Sequence, residues 1–328
     1  MADRNDVILE VRNLKKYFKS PTGTLHAVDG VSFSIRRGET LGLVGESGCG
    51  KSTIGRLILG LHQATGGEIL FNGQDICKMN KKRIHTLRSD LQIIFQDPFS
   101  SLNPRMSIGE IIGEPLLIHK KVRSKAELDA EVARLMDVVG LSARLFNAYP
   151  HELDGGRRQR VGIARALSLK PQLIVCDEPV SSLDVSIQAQ VLNLLKDLQA
   201  EFGLTYLFIT HDLSVVKFFS DQIAVMYLGQ LVETADSAEL FQNTLHPYSQ
   251  ALLSAIPIPS SRQRMQRVKL IGELQSPIDP ETGCRFAKRC LYAEERCTGQ
   301  DLDLREFGKG HFCACCQAGE LAGNSNFN

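Results

Sequence analysis

With 328 residues, 43% of them apolar and 23% charged, and a formal net charge of +1, the chain has the composition of a globular protein with a sizeable core. The near-neutral balance excludes a global field for nucleic acid or an anionic membrane surface, and the length exceeds one average domain. No stretch approaches the roughly 18 uninterrupted apolar residues of a membrane span, and the N-terminal MADRNDV lacks the apolar centre of a signal peptide. A cytoplasmic location is expected, with any membrane role exerted through partners.

VILEVR (7–12) and AVDGVSFSI (27–35) alternate apolar and polar residues, which predicts half-buried strands. LGLVG (41–45) is continuously apolar, as a strand buried on both faces is. A glycine-rich stretch follows it, and then an apolar helical pattern over 54–61. GEILFNG (67–73) alternates again, and KMNKKRIH (78–85) reads as a solvated basic face. LQIIFQ (91–96) predicts a buried strand, and helical spacing runs over 124–139 and 157–168. LIVCD (173–177), a helix over 185–201 and YLFIT (206–210) continue the alternation. QIAVMYLGQLVET (222–234) predicts a hairpin turning at Leu228-Gly229. HPYSQALLSAI (246–256) predicts a closing helix, which Pro257 and Pro259 break. This order argues for an α/β domain with a largely parallel sheet. A boundary is placed at residue 256, with a loop-rich, cysteine-rich extension over 257–328.

Gly45-Glu46-Ser47-Gly48-Cys49-Gly50-Lys51-Ser52-Thr53 carries the chemistry. Its spacing is that of a phosphate-binding loop, in which glycines let successive backbone N–H groups curl around phosphate oxygens. Lys51 is placed to reach the β- and γ-phosphates and Ser52 to hold Mg²⁺. A helix starting at Lys51 would aim its positive end at the same phosphates. Asp177 and Glu178 close the strand LIVCD. Asp177 suits Mg²⁺ held through water, and Glu178 suits orienting or deprotonating an attacking water.

The phosphate loop, FQDP (95–98), LDGGRRQR (153–160), LIVCDEP (173–179), SSLD (181–184) and ITHD (209–212) stand in the order and spacing of one family. The chain resembles the ATP-binding subunits of ABC transporters. The resemblance implies a P-loop nucleotide-binding domain with a parallel-core sheet, an antiparallel β subdomain and a helical subdomain over about 97–168. It implies that Phe18, or its neighbour Tyr17, stacks on adenine just after the first strand. Gln96 would contact Mg²⁺ and the attacking water, His211 would hold the γ-phosphate, and Asp184 would lie at the interface with a second ATP-binding subunit. HPYSQALLSAIPIP (246–259), GELQSPI (272–278) and GCRFAKRC (283–290) further resemble the tails of subunits from dipeptide and oligopeptide importers. Nickel and glutathione importers belong to that group. Within it the chain looks most like the second of two paired ATP-binding subunits.

That resemblance makes Asp154, Gly155 and Gly156 the signature that completes the site of the partner subunit. The family begins this motif LSGG, and here it begins LDGG. An acid about 4 Å from a phosphate charge costs on the order of 4 kcal/mol at an effective dielectric near 20, before relaxation. Two readings stand. Asp154 degrades one composite site, which predicts a heterodimer with a related ATPase; or it caps the following helix as serine would, with Arg157 neutralising it.

Nine cysteines are present, six of them after residue 280. Cys284-x5-Cys290-x6-Cys297 followed by HFCACC offers enough thiolates for a four-ligand site. Alignment with family tails on His311 makes Cys315 the fourth ligand and leaves Cys313 and Cys316 over. A 4Fe–4S cluster is the first expectation, zinc the second and plain structural thiols the third. The expected function is the ATP-hydrolysing motor of an ABC importer for di- or oligopeptides, using ATP and Mg²⁺. Its expected partners are a non-identical ATP-binding subunit, two permease subunits and, indirectly, an extracytoplasmic binding protein, and its place is the cytoplasmic face of the membrane. The same motor role for nickel, glutathione or another small solute is the alternative, ahead of a soluble ABC ATPase outside transport.

Overall fold

The computed structural model of the protein describes residues 6–256, 272, 276–299, 302–308 and 310–322. The described residues of 1–35, 39–77 and 210–328 form one compact unit, and those of 36–38 and 78–209 form another.

In the first unit, β1 (Val7–Ser20) and β2 (Gly23–Arg36) make a long hairpin, followed by β3 (Thr40–Val44), α1 (Lys51–Ile58), β4 (Gly66–Phe71) and β5 (Gln74–Asp75). β1, β2, β4 and β5 form an antiparallel sheet in the order β2-β1-β4-β5. β1 runs well past the expected end at residue 12. Tyr17 and Phe18 therefore lie within this strand and not after it. Aromatic side chains suit a pleated, half-buried surface, and pairing with β2 continues the ladder to the turn. α1 starts at Lys51 as expected but ends at Ile58, where Gly60 (φ 63°) takes a left-handed turn.

The second unit opens with α2 (Lys81–Leu87), whose residues are all at least partly exposed, in line with the solvated basic face. β6 (Leu91–Ile94), α3 (Pro98–Ser101), α4 (Ile108–Ile118), α5 (Lys125–Val138), α6 (Gly155–Leu167), β7 (Leu173–Asp177), α7 (Val185–Phe202) and β8 (Thr205–Thr210) follow. β7 pairs in parallel with β6 and β8, Leu173 standing beside Leu91 and Thr205. β7 and β8 are buried along their whole length, which explains their uninterrupted apolar runs. Val132, Leu135 and Met136 of α5 and Ile108, Ile111, Ile112 and Leu116 of α4 supply the helical core.

The chain then returns to the first unit with α8 (Leu213–Phe219), β9 (Gln222–Tyr227), β10 (Gln230–Asp236), α9 (Ser237–Gln242), α10 (Pro247–Ser254), β11 (Arg305–Glu306), β12 (Phe312–Cys313) and α11 (Ala318–Ala322). β9 pairs in parallel with β3 and antiparallel with β10. Leu228 (φ 41°) and Gly229 (φ 87°) form the expected turn, both left-handed as a two-residue hairpin loop requires.

The segment beyond residue 275 is tied into this unit at several places. β12 pairs with β10, Glu233 opposite Cys313. Glu233 is fully buried and accepts hydrogen bonds from the Leu245 and His246 N–H groups at 2.7 and 3.1 Å. The buried His311 ring lies with Nε2 at 2.8 Å from the same carboxylate, so the charge is not left unpaired. Phe286 packs against Tyr227, Tyr248 and His246 with ring centroids 5.3, 5.4 and 5.8 Å apart. The boundary placed at residue 256 remains a reading of composition. Pro257, Pro259 and residues 273–275 of GELQSPI lie outside the described residues.

Candidate functional site

In the first unit, β3 delivers the chain into the phosphate loop and α1 carries it away. A side chain on Gly45 would stand 2.1 Å from the Met226 carbonyl oxygen, and one on Gly50 (φ 109°) 2.1 Å from that of Ala27. Both positions therefore need glycine for close backbone approach as well as for dihedral freedom. Lys51 is buried, and its Nζ donates to the carbonyls of Gly45 (2.7 Å) and Glu46 (3.0 Å), so the loop is already curled around its own ammonium. Cys49 points inward, burial raises its thiol above the usual range, and its N–H bonds Glu46 O. Ser52 and Thr53 are half-buried in the first turn of α1.

β2 and the β9–β10 turn brace this loop from the side. Gly229 donates to Cys49 O at 2.9 Å and accepts from Asp29 N at 2.8 Å. The Asp29 carboxylate accepts from Tyr17 Oη at 2.5 Å and contacts His26 Nδ1 at 3.0 Å, while the Tyr17 and His26 rings stack at 4.1 Å. Burial opposes ionisation of Asp29, but these hydrogen bonds and Arg285 hold its carboxyl below the usual range. Phe18 meets the edge of His62 at 6.0 Å, with Lys16 Nζ 4.8 Å above its ring. Tyr17 is thus tied to the brace of the phosphate loop and Phe18 is not. His211 lies exposed immediately after β8.

In the second unit, Asp177 is buried at the end of β7, and Glu178 follows with φ 48°. A left-handed glutamate is uncommon and costs backbone energy. Its N–H bonds Ile209 O at 2.9 Å, and its carboxylate accepts from Gln96 Nε2 at 3.0 Å. Two of the expected catalytic residues, Gln96 and Glu178, are therefore in contact. Asp154 is the N-cap of α6: one carboxylate oxygen accepts from Arg157 N at 2.8 Å and the other lies 3.4 Å from Arg157 Nε. A side chain on Gly156 would stand 2.6 Å from Ile187 Cγ2, and one on Gly155 3.2 Å from a Leu183 methyl. Gly156 thus serves packing against α7, and Gly155 packing against the turn before it. Asp184 is exposed, and its carbonyl starts that helix.

The four cysteines singled out in the tail come together. Cys284, Cys290, Cys297 and Cys315 line one pocket with His246, Phe286, Tyr292 and Leu302. Cys316 joins them, its Sγ 3.4 Å from that of Cys297. Cys313 does not, being buried against Leu245 and Ala318. None of the nine cysteines, all of them described residues, is in a disulfide. Burial pushes Cys284 up to about 12, and burial with the neighbouring Cys297 pushes Cys316 up to about 11. Cys290 and Cys315 are raised in the same way. Among the described residues, no group of three histidine, cysteine or carboxylate side chains is set to hold a metal ion as placed.

Two family profiles match this chain, "ABC transporter" over residues 28–181 and "Oligopeptide/dipeptide transporter, C-terminal region" over residues 232–297. The oligopeptide transport ATP-binding protein AppF of Bacillus subtilis is 50% identical over 324 residues, 96% of this chain and 98% of that protein. OppF of Haemophilus influenzae is 52% identical over 94% of each chain. The chain belongs to the ABC transporter ATP-binding family. Among solved structures, the ATP-binding cassette MJ0796 bound to ADP and Pi aligns with a TM-score of 0.65 at 28% identity, covering 70% of this chain and 98% of the cassette. The cbiO1 subunit of Clostridium perfringens, part of an ABC transporter complex, aligns with the same TM-score at 30% identity, over 72% and 91% of the two chains. Membership accounts for the α/β architecture and for the use of ATP with Mg²⁺. Among the described residues, no helix is long and apolar enough to cross a membrane.

The structure also reveals residues the motif reading passed over. Arg285 and Arg289, inside the C-x5-C loop, pair with Asp29 and Glu46. Separations of 256 and 243 positions leave no local trace in the sequence.

Proposed function

We propose that this ABC protein is the ATP-hydrolysing motor of an oligopeptide importer. The observation that carries the reading is similarity at about 50% identity, along nearly the whole chain, to proteins named for oligopeptide transport. In this reading residues 45–53 cradle the phosphates, Lys51 reaches the β- and γ-phosphates, and Ser52, Gln96 and Asp177 serve Mg²⁺. Glu178 orients and deprotonates the attacking water, Gln96 holds Glu178 until nucleotide arrives, and His211 steadies the γ-phosphate. Tyr17 or Phe18 supports adenine. The motor works at the cytoplasmic face of the membrane with two permease subunits and an extracytoplasmic binding protein. The test is peptide uptake in cells and ATP turnover in vitro. Glu178→Gln should abolish both while nucleotide binding persists; turnover by that variant at the wild-type rate refutes the reading.

The partner ATPase is proposed to be non-identical. Asp154 is a helix cap half-neutralised by Arg157, yet it remains an acid where the family presents serine to the γ-phosphate of the opposite subunit. A protein that hydrolyses ATP at full rate alone, and is indifferent to Asp154→Ser, is incompatible with this assignment.

The cysteine pocket is proposed to hold a 4Fe–4S cluster, or failing that zinc. What supports the reading is donor chemistry: soft thiols from Cys284, Cys290, Cys297 and Cys315, with Cys316 in reserve, line one pocket whose other walls are largely apolar. A bound metal would supply the crosslink that a loop-rich tail lacks. Anaerobic purification followed by iron and zinc analysis and absorbance near 400 nm tests it; absence of both metals overturns it.

A further inference from the structure

The run Arg285–Arg289 has a pocket cysteine at each end, and its two arginines reach toward the phosphate loop, Arg289 directly and Arg285 through Asp29 and the 228–229 turn. Arg289, with a side chain only 10% exposed, donates to both carboxylate oxygens of Glu46 at 2.8 and 3.2 Å. Glu46 is the second residue of the phosphate loop; its carbonyl accepts from Lys51 and its N–H bonds Tyr248 Oη at 2.9 Å. Arg285, also nearly buried, donates to the Asp29 carboxylate and to Leu228 O. Through Asp29 and the 228–229 turn it bears on Tyr17 and on Cys49 of the loop.

The charges explain why such contacts are needed. A carboxylate in a loop built for a triphosphate repels its ligand unless a cation cancels it. Arg289 is that cation, and its planar fork also fixes where Glu46 lies. Removing one member of a nearly buried pair leaves the other uncompensated.

We propose that the Cys284–Cys290 loop is a positioning element of the nucleotide site. Arg289 neutralises and seats Glu46, and Arg285 seats the Tyr17 side. Because the loop ends in two cysteines of the pocket, the state of that pocket sets the affinity for ATP. The proposal rests on the nucleotide-binding role of residues 45–53 and is independent of which metal the pocket takes.

The test is equilibrium titration of the full chain with a fluorescent ATP analogue and Mg²⁺. Arg289→Ala should weaken binding about ten-fold. Adding Glu46→Gln to that variant should restore most of the loss, because the repelling charge is gone. A merely structural arginine gives no such rescue. Cys284→Ser with Cys290→Ser should weaken binding in the parent and change little in the rescued double variant. Wild-type affinity in Arg289→Ala, or a double variant no better than the single, overturns the proposal; an unaffected cysteine variant overturns its pocket limb. Should Arg289→Ala fail to fold, Arg289→Lys keeps the charge without the fork. Its affinity should fall about three-fold, and lie closer to wild type than that of Arg289→Gln; a reversed order overturns the proposal. If Lys51→Ala binds as tightly as wild type, the nucleotide-site reading itself has failed, a distinct result.

Discussion

The phosphate loop and the C-x5-C loop are both short, both irregular and both carry cysteine, yet they are held in opposite ways. The first is shaped from within. Lys51 bonds carbonyls five and six residues back, and glycines at 45 and 50 allow the approach of the backbone behind it. The second is shaped from outside, by Phe286 among distant aromatic rings and by two arginines whose partners lie more than 240 residues away. A loop shaped from within can be read as a motif. A loop shaped from outside shows only its composition.

That contrast is tested most strongly by removing the outer anchor. Phe286→Ala empties a fully enclosed site between Tyr227, Tyr248 and His246, and the loss of such a ring costs about 3–5 kcal/mol. Thermal unfolding should shift down accordingly, and nucleotide binding should weaken as Arg289 loses its place. A variant that melts as the wild type does would show the tail to be an ornament of the unit. The inner anchor gives the converse. Lys51→Ala should lower MgATP affinity about a hundred-fold, roughly 2.7 kcal/mol, with a much smaller effect on melting; equal affinity in the two proteins would end the nucleotide reading.

The same distinction governs what could be read in advance. The 41–45 strand, the phosphate loop, the start of α1 and the Leu228-Gly229 turn follow from local composition, because each depends on neighbours within a few residues. The full length of β1 does not, since residues 13–20 (NLKKYFKS) break the alternation of apolar and polar residues and stay in the strand through pairing with β2. α9 is short and lacks enough turns to show a period. The gathering of Cys284, Cys290, Cys297 and Cys315 was legible through spacing and family likeness. The inward turn of Cys313 was not, because its register opposite Glu233 on β10 decides its face.

His246 links the two regions and offers a pH test. It is buried, caps α10 by accepting from Tyr248 N, and lines the cysteine pocket. Burial lowers its pKa to about 4, against the smaller opposing pull of Glu233. The unfolded chain takes up a proton near 6.5 that the folded state refuses until about 4, so this residue's contribution is present above 6.5 and is lost as pH falls through that window. Between pH 7 and 5 it should cost about 2 kcal/mol. His246→Asn keeps the cap acceptor without the titration, and its stability should vary less with pH over that range. Parallel pH profiles for the two proteins would assign the acid sensitivity elsewhere.

The smallest expected effect concerns Asp154, where the observed capping and the proposed place beside a phosphate make separable demands. As a cap, aspartate and serine are nearly equivalent, whereas alanine loses the bond to Arg157 N and costs about 1 kcal/mol. As a phosphate neighbour, serine and alanine are alike in lacking the charge. Unfolding of the full chain should therefore rank Asp154→Ser with wild type and Asp154→Ala below both. Nucleotide-driven association with the partner ATPase should instead set both variants above wild type. If the association data follow the stability order, Asp154 is a helix cap alone and the asymmetry between the two composite sites has no basis in this residue. If they follow the charge order, one side chain serves the fold of its own subunit at the expense of its neighbour's site.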